Sequence, residues 1–408
     1  MKLKPRPRYL DLLLAAQGNG IIKVVTGMRR CGKSTLLELF AQHLLETGTP
    51  PDHILQYKLE SYEFAGYSAD QLHNSIQERM PQAGHWYLLI DEVQLIDGWE
   101  RVINAIRVDH DVDIIVTGSN AHLLSGQLAT LLSGRAMAIR MYPLSFREFM
   151  DYTGITDRTE AFERYIRYGG LPPVVDQGAN QALASTVLSG IYDTVLVRDV
   201  ATHLQIRNPM ALNDVARYLA STSGSPVSIT NIENRLKSAH RPTSSLTIER
   251  YIQGLLDAYL FHRAQRRDLR GGQILQGLSK YYPADPGIRN MLLGFSDSDY
   301  GFALENLVHN ELLAAGFHVT VGRTDRTEID FIAERIQPDM SKRTLYVQVS
   351  ASLMDTATRE REMKPFRSLP AQEGERIIIT LDTIGLGRTE EGVDVVNALD
   401  WLTTQAYR

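Results

Sequence analysis

The sequence predicts an α/β protein of several domains whose N-terminal third is a parallel sheet carrying a phosphate-binding loop. Three observations point there. The runs "IIKVVTG" (21–27), "WYLLIDEVQ" (86–94) and "DVDIIVTGSN" (111–120) are the β-branched, continuously apolar stretches that parallel sheets bury on both faces. The first run passes through G-x-x-x-x-G-K-[ST] into "KSTLLELFAQHLLE" (33–46), whose leucines recur at helical spacing. At 408 residues, with 43% hydrophobic and 22% charged residues, the chain has material for two or three cores.

Composition excludes several classes. A net charge of -5 argues against a whole-protein polyanion binder. The single cysteine, Cys31, rules out an internal disulfide framework and a multi-cysteine zinc site, and the 11 histidines show no H-E-x-x-H spacing. A reducing, cytoplasmic setting fits. Asp11 interrupts the apolar part of the N-terminus, which makes a poor signal peptide, and no run approaches the roughly 18 apolar residues of a membrane span. Membrane association is not expected.

The loop has a mechanism because it sits between strand and helix. Backbone N–H groups from Gly27 to Gly32, including those of Arg30 and Cys31, can curl around phosphates, and the N-terminus of the helix adds its positive dipole end. Lys33 would reach the β and γ phosphates, Ser34 would offer its hydroxyl to Mg²⁺, and Thr35 would help cap the helix. Arg29 and Arg30 can pair with acidic neighbours or with phosphate. Cys31 reads either as a small loop residue or as a thiol acidified by the helix N-terminus.

"WYLLIDEVQ" ends in two carboxylates. Asp91 is suited to hold Mg²⁺ through water, and Glu92 to orient and deprotonate an attacking water. No N-K-x-D is present, so ATP is expected over GTP as the nucleotide. The third strand would place Ser119 or Asn120 beside the γ-phosphate, as the sensor residue does in AAA+ ATPases. Arg135, in "LLSGR" (131–135), stands where AAA+ proteins carry a finger for a neighbouring subunit's ATP; it also reads as a solvated helix-end arginine.

"GMRRCGKST", "LLIDEVQ", "VTGSNAHLLSGR" and "YPLSFREF" together resemble the prokaryotic ATPases that join an AAA+-type domain to an uncharacterised C-terminal domain. The resemblance implies an ASCE-type P-loop core over residues 1–150, Mg-ATP hydrolysis, and a homo-oligomer such as a six-membered ring. A helical lid follows over 151–204. Its "GGLPP" is similar to the lid signature of signal-transducing P-loop ATPases, in which Pro172 would contact adenine, and it reads equally as a helix stop. Arg198 is a second phosphate-sensing candidate.

Residues 205–280 read as three short helices and one basic hairpin, "LFHRAQRRDLRGG" (260–272), an order that resembles a winged helix. They hold 11 Lys or Arg against 5 Asp or Glu, a local +6 that leaves -11 for the rest. Arg263, Arg266, Arg267 and Arg270 would form a cationic wing against DNA, whether single-stranded, duplex or branched; a protein-docking module is the other reading.

Residues 281–408 alternate helix and strand in an order that resembles the restriction-endonuclease-like PD-(D/E)xK core. Glu305 and Asp330 match its first two acidic positions, but Gln348-Val349-Ser350 stands at the third, without carboxylate or lysine, although Lys364 could substitute from the next helix. A degenerate, inactive site is expected. Three functions follow: a ring-forming DNA-remodelling ATPase, an ATP-gated switch acting on a protein, and, with least support, an ATP-dependent nuclease.

Overall fold

The computed structural model describes residues 4–80, 84–124, 134–206, 209–269, 273–275, 277–294, 300–324, 327–369 and 374–404. The chain packs as two units: residues 1–142 with 257–259, and residues 143–256 with 260–408.

The first unit is built on β1 (Ile22–Gly27), β2 (Ile54–Lys58), β3 (Trp86–Asp91), β4 (Val112–Gly118) and β5 (Ala136–Met141). They form one sheet in the order β2-β3-β4-β1-β5, and every neighbouring pair is parallel. Parallel neighbours need crossovers, and α1 (Pro7–Ala15) and α2 (Lys33–Glu46) cover one face while α3 (Ala69–Arg79) and α4 (Trp99–Asp109) cover the other. All six residues of β1 are buried, Lys23 among them, because its ammonium pairs with Asp113 on neighbouring β4. Every strand therefore ends at the same sheet edge, where open α/β sheets place their ligands.

The second unit begins with α5 (Phe146–Thr153), started by a Ser145–Glu148 capping box, then α6 (Arg158–Tyr168), α7 (Pro172–Val175) and α8 (Gln181–Thr194), which continues as a π-helix over Val195–Thr202. Three helices follow, α9 (Pro209–Ser221), α10 (Ile229–Ser238) and α11 (Ser245–Asp257). In the expected basic hairpin, residues 266–268 do turn back antiparallel on residues 273–275, through the Arg267–Ile274 bridge and the Leu275 amide on the Arg266 carbonyl, but its two strands have different further partners. β6 (Phe261–Ala264) pairs antiparallel with β8 (Lys280–Pro283), whereas β7 (Arg266–Asp268) leaves it to pair with β9 (His318–Arg323). Between them Gln265 turns its carbonyl to the amide of Val321.

α12 (Pro286–Leu293) and α13 (Tyr300–Ala314) precede a sheet of β10 (Glu328–Ile336), β11 (Lys342–Ser350), β12 (Glu375–Thr380), β13 (Gly387–Arg388) and β14 (Asp394–Asn397), in the order β13-β14-β12-β11-β10-β9-β7, with α14 (Thr356–Met363) between β11 and β12 and α15 (Ala398–Thr403) after β14. One core joins Phe146, Phe162 and Tyr165 of the first helices to Phe331, Val347 and Ile377 of the sheet.

Asp285 explains the first glycine of "GGLPP". This carboxylate is fully buried and accepts N–H groups from Gly287 (2.9 Å), Ile288 (3.3 Å) and Gly170 (2.7 Å). Gly169 has φ +80°, and a Cβ there would lie 1.9 Å from Asp285 Oδ1. Gly169→Ala is therefore expected to cost about 1–3 kcal/mol in chemical unfolding. Burial pushes the Asp285 carboxyl up to about 6 from 3.8, against the opposing effect of its three backbone donors. A raised carboxyl binds its proton more tightly when folded, so its stabilising contribution is full below about 3.8 and is lost as pH climbs through about 6. Asp285→Asn should flatten that part of the stability profile, read as urea midpoints at several pH values; an unchanged slope would show that Asp285 does not titrate in this window.

Candidate active site

The strand ends bring the expected residues of the first unit together. Gly27 leads off β1 with φ +153°, and a Cβ on it would sit 2.1 Å from the Met141 carbonyl, so this glycine is required by the approach of β5 as well as by the loop. Gly32, with φ +107°, is the residue before α2. Thr35 lies inside the first turn, and α2 has no side-chain cap, which corrects the capping role expected for that threonine. Arg30 holds a left-handed φ of +69°, a strained conformation of the kind that concentrates in ligand loops.

Lys33 is buried, and its Nζ donates to the carbonyls of Gly27 (3.0 Å) and Met28 (3.2 Å), 3.7 Å from Glu92 Oε1. Ser34 is exposed and hydrogen-bonds Asp91. Arg29 pairs with Glu60 at 2.9 Å, so the acidic-neighbour alternative describes it. Cys31 is fully buried among Leu36, Phe40 and Met141; burial pushes its thiol up, outweighing the pull of Lys33 and Arg6, which corrects the acidified-thiol alternative. Arg6 was not expected at all. It braces the loop by donating to the carbonyls of Cys31 (3.1 Å) and Tyr142 (2.8 Å).

Asp91 and Glu92 diverge although adjacent. Burial raises the Asp91 carboxyl above the usual range despite hydrogen bonds from Thr117 and Ser34. Burial also works to raise Glu92, but Lys33, the Gln94 amide, Arg29 and Ser119 outweigh it and hold that carboxyl below the usual range. The left-handed backbone of Glu92, φ 56° and ψ 50°, turns its side chain towards Lys33. Thr117 serves both residues: its hydroxyl donates to Asp91 Oδ1 (2.5 Å) and accepts from the Glu92 amide (3.0 Å). Ser119 is buried beside this network, whereas Asn120 is half-buried and bonds the amide of His122. Neither Thr117 nor Gln94 was anticipated. Their only signal was proximity in sequence to Ser119 and Glu92.

This set fits Mg-ATP. Lys33 and the loop amides suit phosphates, while the exposed Ser34 hydroxyl beside Asp91 suits a cation held largely through water and phosphate oxygens. Among the described residues no group of three or more His, Cys, Asp or Glu side chains is disposed to hold a metal alone. Arg135 lies elsewhere. Its carbonyl receives the Ile22 amide at the start of β1, so the whole length of β5, about 20 Å at 3.3 Å per residue, separates it from its own loop. Pro172 opens α7, and Arg198 is exposed on the π-helix, both in the second unit.

The cationic wing is not formed as expected. Arg266 faces Glu328 at 3.9 Å and Arg267 pairs with Glu334 at 2.9 Å, because β7 belongs to the acidic-edged sheet; Arg263 is exposed beside Tyr281, and Arg270 lies outside the described residues.

A second cluster lies in the second unit. Glu305, Asp330 and Gln348 line one cavity of about 420 Å³, with Glu328, Glu362 and Lys364. Gln348 donates to Glu362 Oε2 (2.6 Å) and accepts the Asp330 amide (3.2 Å), while Asp330 accepts the Val349 amide (2.8 Å). Lys280 enters from β8, buried, 3.3 Å from Glu305 and 2.9 Å from Glu328. Burial, then Glu305, push the Asp330 carboxyl well up, with Lys280 opposing. Lys280 and Glu362 were missed, since a strand of the middle segment and a late helix supply them.

Comparison with known proteins agrees with the first unit. The family described as an AAA domain matches residues 19–150, and one described as a domain of unknown function (DUF8612) matches residues 159–299. An uncharacterized protein of Haemophilus influenzae is 37% identical over 404 residues, 97% of this chain and 98% of its own. An uncharacterized protein of Methanocaldococcus jannaschii is 27% identical over 364 residues, 85% of this chain and 78% of its own. Among solved structures, the Walker-type ATPase of Pyrococcus abyssi superposes with a TM-score of 0.50 at 16% identity, over 71% of this chain and 95% of that one, a likeness of fold. No described helix is long and apolar enough to cross a membrane.

Proposed function

We propose that this chain, which belongs to the family of AAA-domain proteins that includes the Haemophilus influenzae relative, hydrolyses Mg-ATP and couples the reaction to DNA or to a protein partner. The observation that carries the reading is the convergence of Lys33, Ser34, Asp91 and Glu92 at one end of the parallel sheet. Lys33 leaves Glu92 for the β and γ phosphates and neutralises charge that develops on them. Glu92, ionised and hydrogen-bonded, receives the proton of the attacking water, and Ser119 with Asn120 lines the γ-phosphate side. Ser34 and Asp91 would hold Mg²⁺, which supplies Lewis-acid neutralisation of the phosphate oxygens. Arg135, remote from its own loop, suits action on a neighbouring subunit's nucleotide, hence a homo-oligomeric ring.

Our reading divides the chain into an ATPase core (1–150), lid (151–204), winged-helix-like segment (205–280) and nuclease-like end (281–408). DNA coupling rests on the +6 of the middle segment and on the exposed Arg235, Lys237 and Arg250 of α10 and α11. A specific observation favours the second reading, an ATP-gated switch on a protein: the ion pairs of Arg266 and Arg267 remove charge from the wing. For the nuclease, Lys280 already neutralises the carboxylates a metal would need, which supports an inactive site. A cytoplasmic location accords with the lone buried cysteine.

The test is ATP turnover with and without single-stranded, duplex and branched DNA at low and moderate salt. Stimulation that falls steeply with salt, and falls in Arg235→Ala/Lys237→Ala, is expected for DNA coupling. Turnover indifferent to every DNA would sink that coupling in favour of the protein switch.

A further inference from the structure

We infer that Gln94 is a positioning residue for ATP hydrolysis: its amide is the pivot that holds one oxygen of the Glu92 carboxylate while the other is handed from Lys33 to the attacking water. The inference rests on the hydrolysis reading and deepens it.

Glu92 is buried, and each of its oxygens faces a donor group. Lys33 stands 3.7 Å from Oε1, and the Gln94 amide nitrogen donates to Oε2 at 2.5 Å. Each carboxylate oxygen keeps a further lone pair, so the two contacts orient Glu92 rather than fill it, and with Lys33 in place Oε1 faces the ammonium. The two contacts differ in what ATP would do to them. Lys33 is the group that phosphate would recruit, which frees Oε1, whereas Gln94 has no part in phosphate binding and keeps Oε2. The carboxylate then retains one fixed point about which its free oxygen is aimed.

Gln94 is built for this contact. Its amide N–H groups go to Glu92 and to Ser119 Oγ (3.3 Å), while its Oε1 is buried without a hydrogen-bond partner. A side chain retained for fold stability would use its acceptor as well; here only the donor end is used, at the cost of an unsatisfied acceptor. Space for it is made by Gly118, where a Cβ would lie 2.5 Å from Gln94 Oε1 and 1.8 Å from Leu123. The sequence therefore has a glycine directly before Ser119 for Gln94 to pass. The other charged groups that act on Glu92 are Lys33 from α2, Asp91 from β3 and Arg29 from the loop, the last paired with Glu60.

The experiment is steady-state ATP turnover against pH for wild type, Gln94→Ala, Gln94→Glu and Glu92→Gln, with binding of a fluorescent ATP analogue measured in parallel. Gln94→Ala should lower kcat on the order of 10²-fold, as misplacement of a catalytic group does, with KM and analogue affinity little changed. Gln94→Glu, nearly isosteric, sets a second carboxylate against Glu92 and should move the acid limb of the kcat profile to higher pH, which a purely structural lesion would not do. Unchanged kcat and acid limb in both variants, while Glu92→Gln is inactive, would overturn the role of Gln94 alone. Turnover that survives Glu92→Gln would overturn Glu92 as the base, and the pivot with it, whereas no turnover in wild type would overturn the hydrolysis reading itself.

Discussion

Glu92→Gln is expected to lower ATP turnover by about 10²–10⁴-fold, the range a positioned general base contributes, while leaving nucleotide binding intact. The separation follows from the site. Glu92 meets Lys33, Gln94 and Ser119, and among the described residues no loop amide donates to it, so its neutral analogue removes the proton acceptor without dismantling the cradle. Lys33→Ala should behave differently. It removes the ammonium that already rests among the carbonyls of Gly27 and Met28, and is expected to lose both turnover and affinity for a fluorescent ATP analogue. Phosphate release and analogue binding measured on both variants check the pair. Because Lys33, Gln94, Arg29 and Ser119 hold Glu92 of the free protein below the ordinary carboxylate range against the effect of burial, kcat/KM, which reports the free enzyme, should persist into mildly acidic pH and fall only as Glu92 takes up its proton.

Lys280→Met is expected to destabilise the second unit by about 3–5 kcal/mol, the cost of leaving buried carboxylates without their counter-charge. Lys280 is only 3% exposed along its side chain and lies within 3.3 Å of Glu305 and 2.9 Å of Glu328, with Asp330 adding to the same field. Methionine keeps most of the volume, so the loss reads charge rather than a cavity. Urea unfolding checks it, and adding Glu328→Gln to Lys280→Met should recover part of the loss. A change below about 1 kcal/mol would mean that the carboxylates are solvated or protonated without help from Lys280.

The phosphate loop and the Asp91-Glu92 pair were legible because each is a short pattern whose strand context lies in adjacent residues. The three buried runs near residues 22, 86 and 112 became neighbouring strands β1, β3 and β4 for the same reason. Glu305, Asp330 and Gln348 were also brought into one cavity, since a helix and two strands with recognisable periodicity carry them. The wing failed. "FHRAQRRD" has the alternation of one hairpin, but nothing local says that Gln265 turns the chain and that β7 joins a sheet whose other strands begin some fifty residues later.

Local periodicity and turn chemistry thus determined, from the sequence alone, the strands β1, β3 and β4, the helix α2 and the residues that line the loop. Tertiary structure alone decided the partners: Gln94 and Thr117 on Glu92, Arg6 beneath the loop, Asp285 against Gly169, and Lys280 and Glu362 in the acidic cavity. The physical reason is that a buried charge must be matched by whatever group the fold carries to it. That group's position along the chain is set by sheet order and packing, on which sequence spacing is silent.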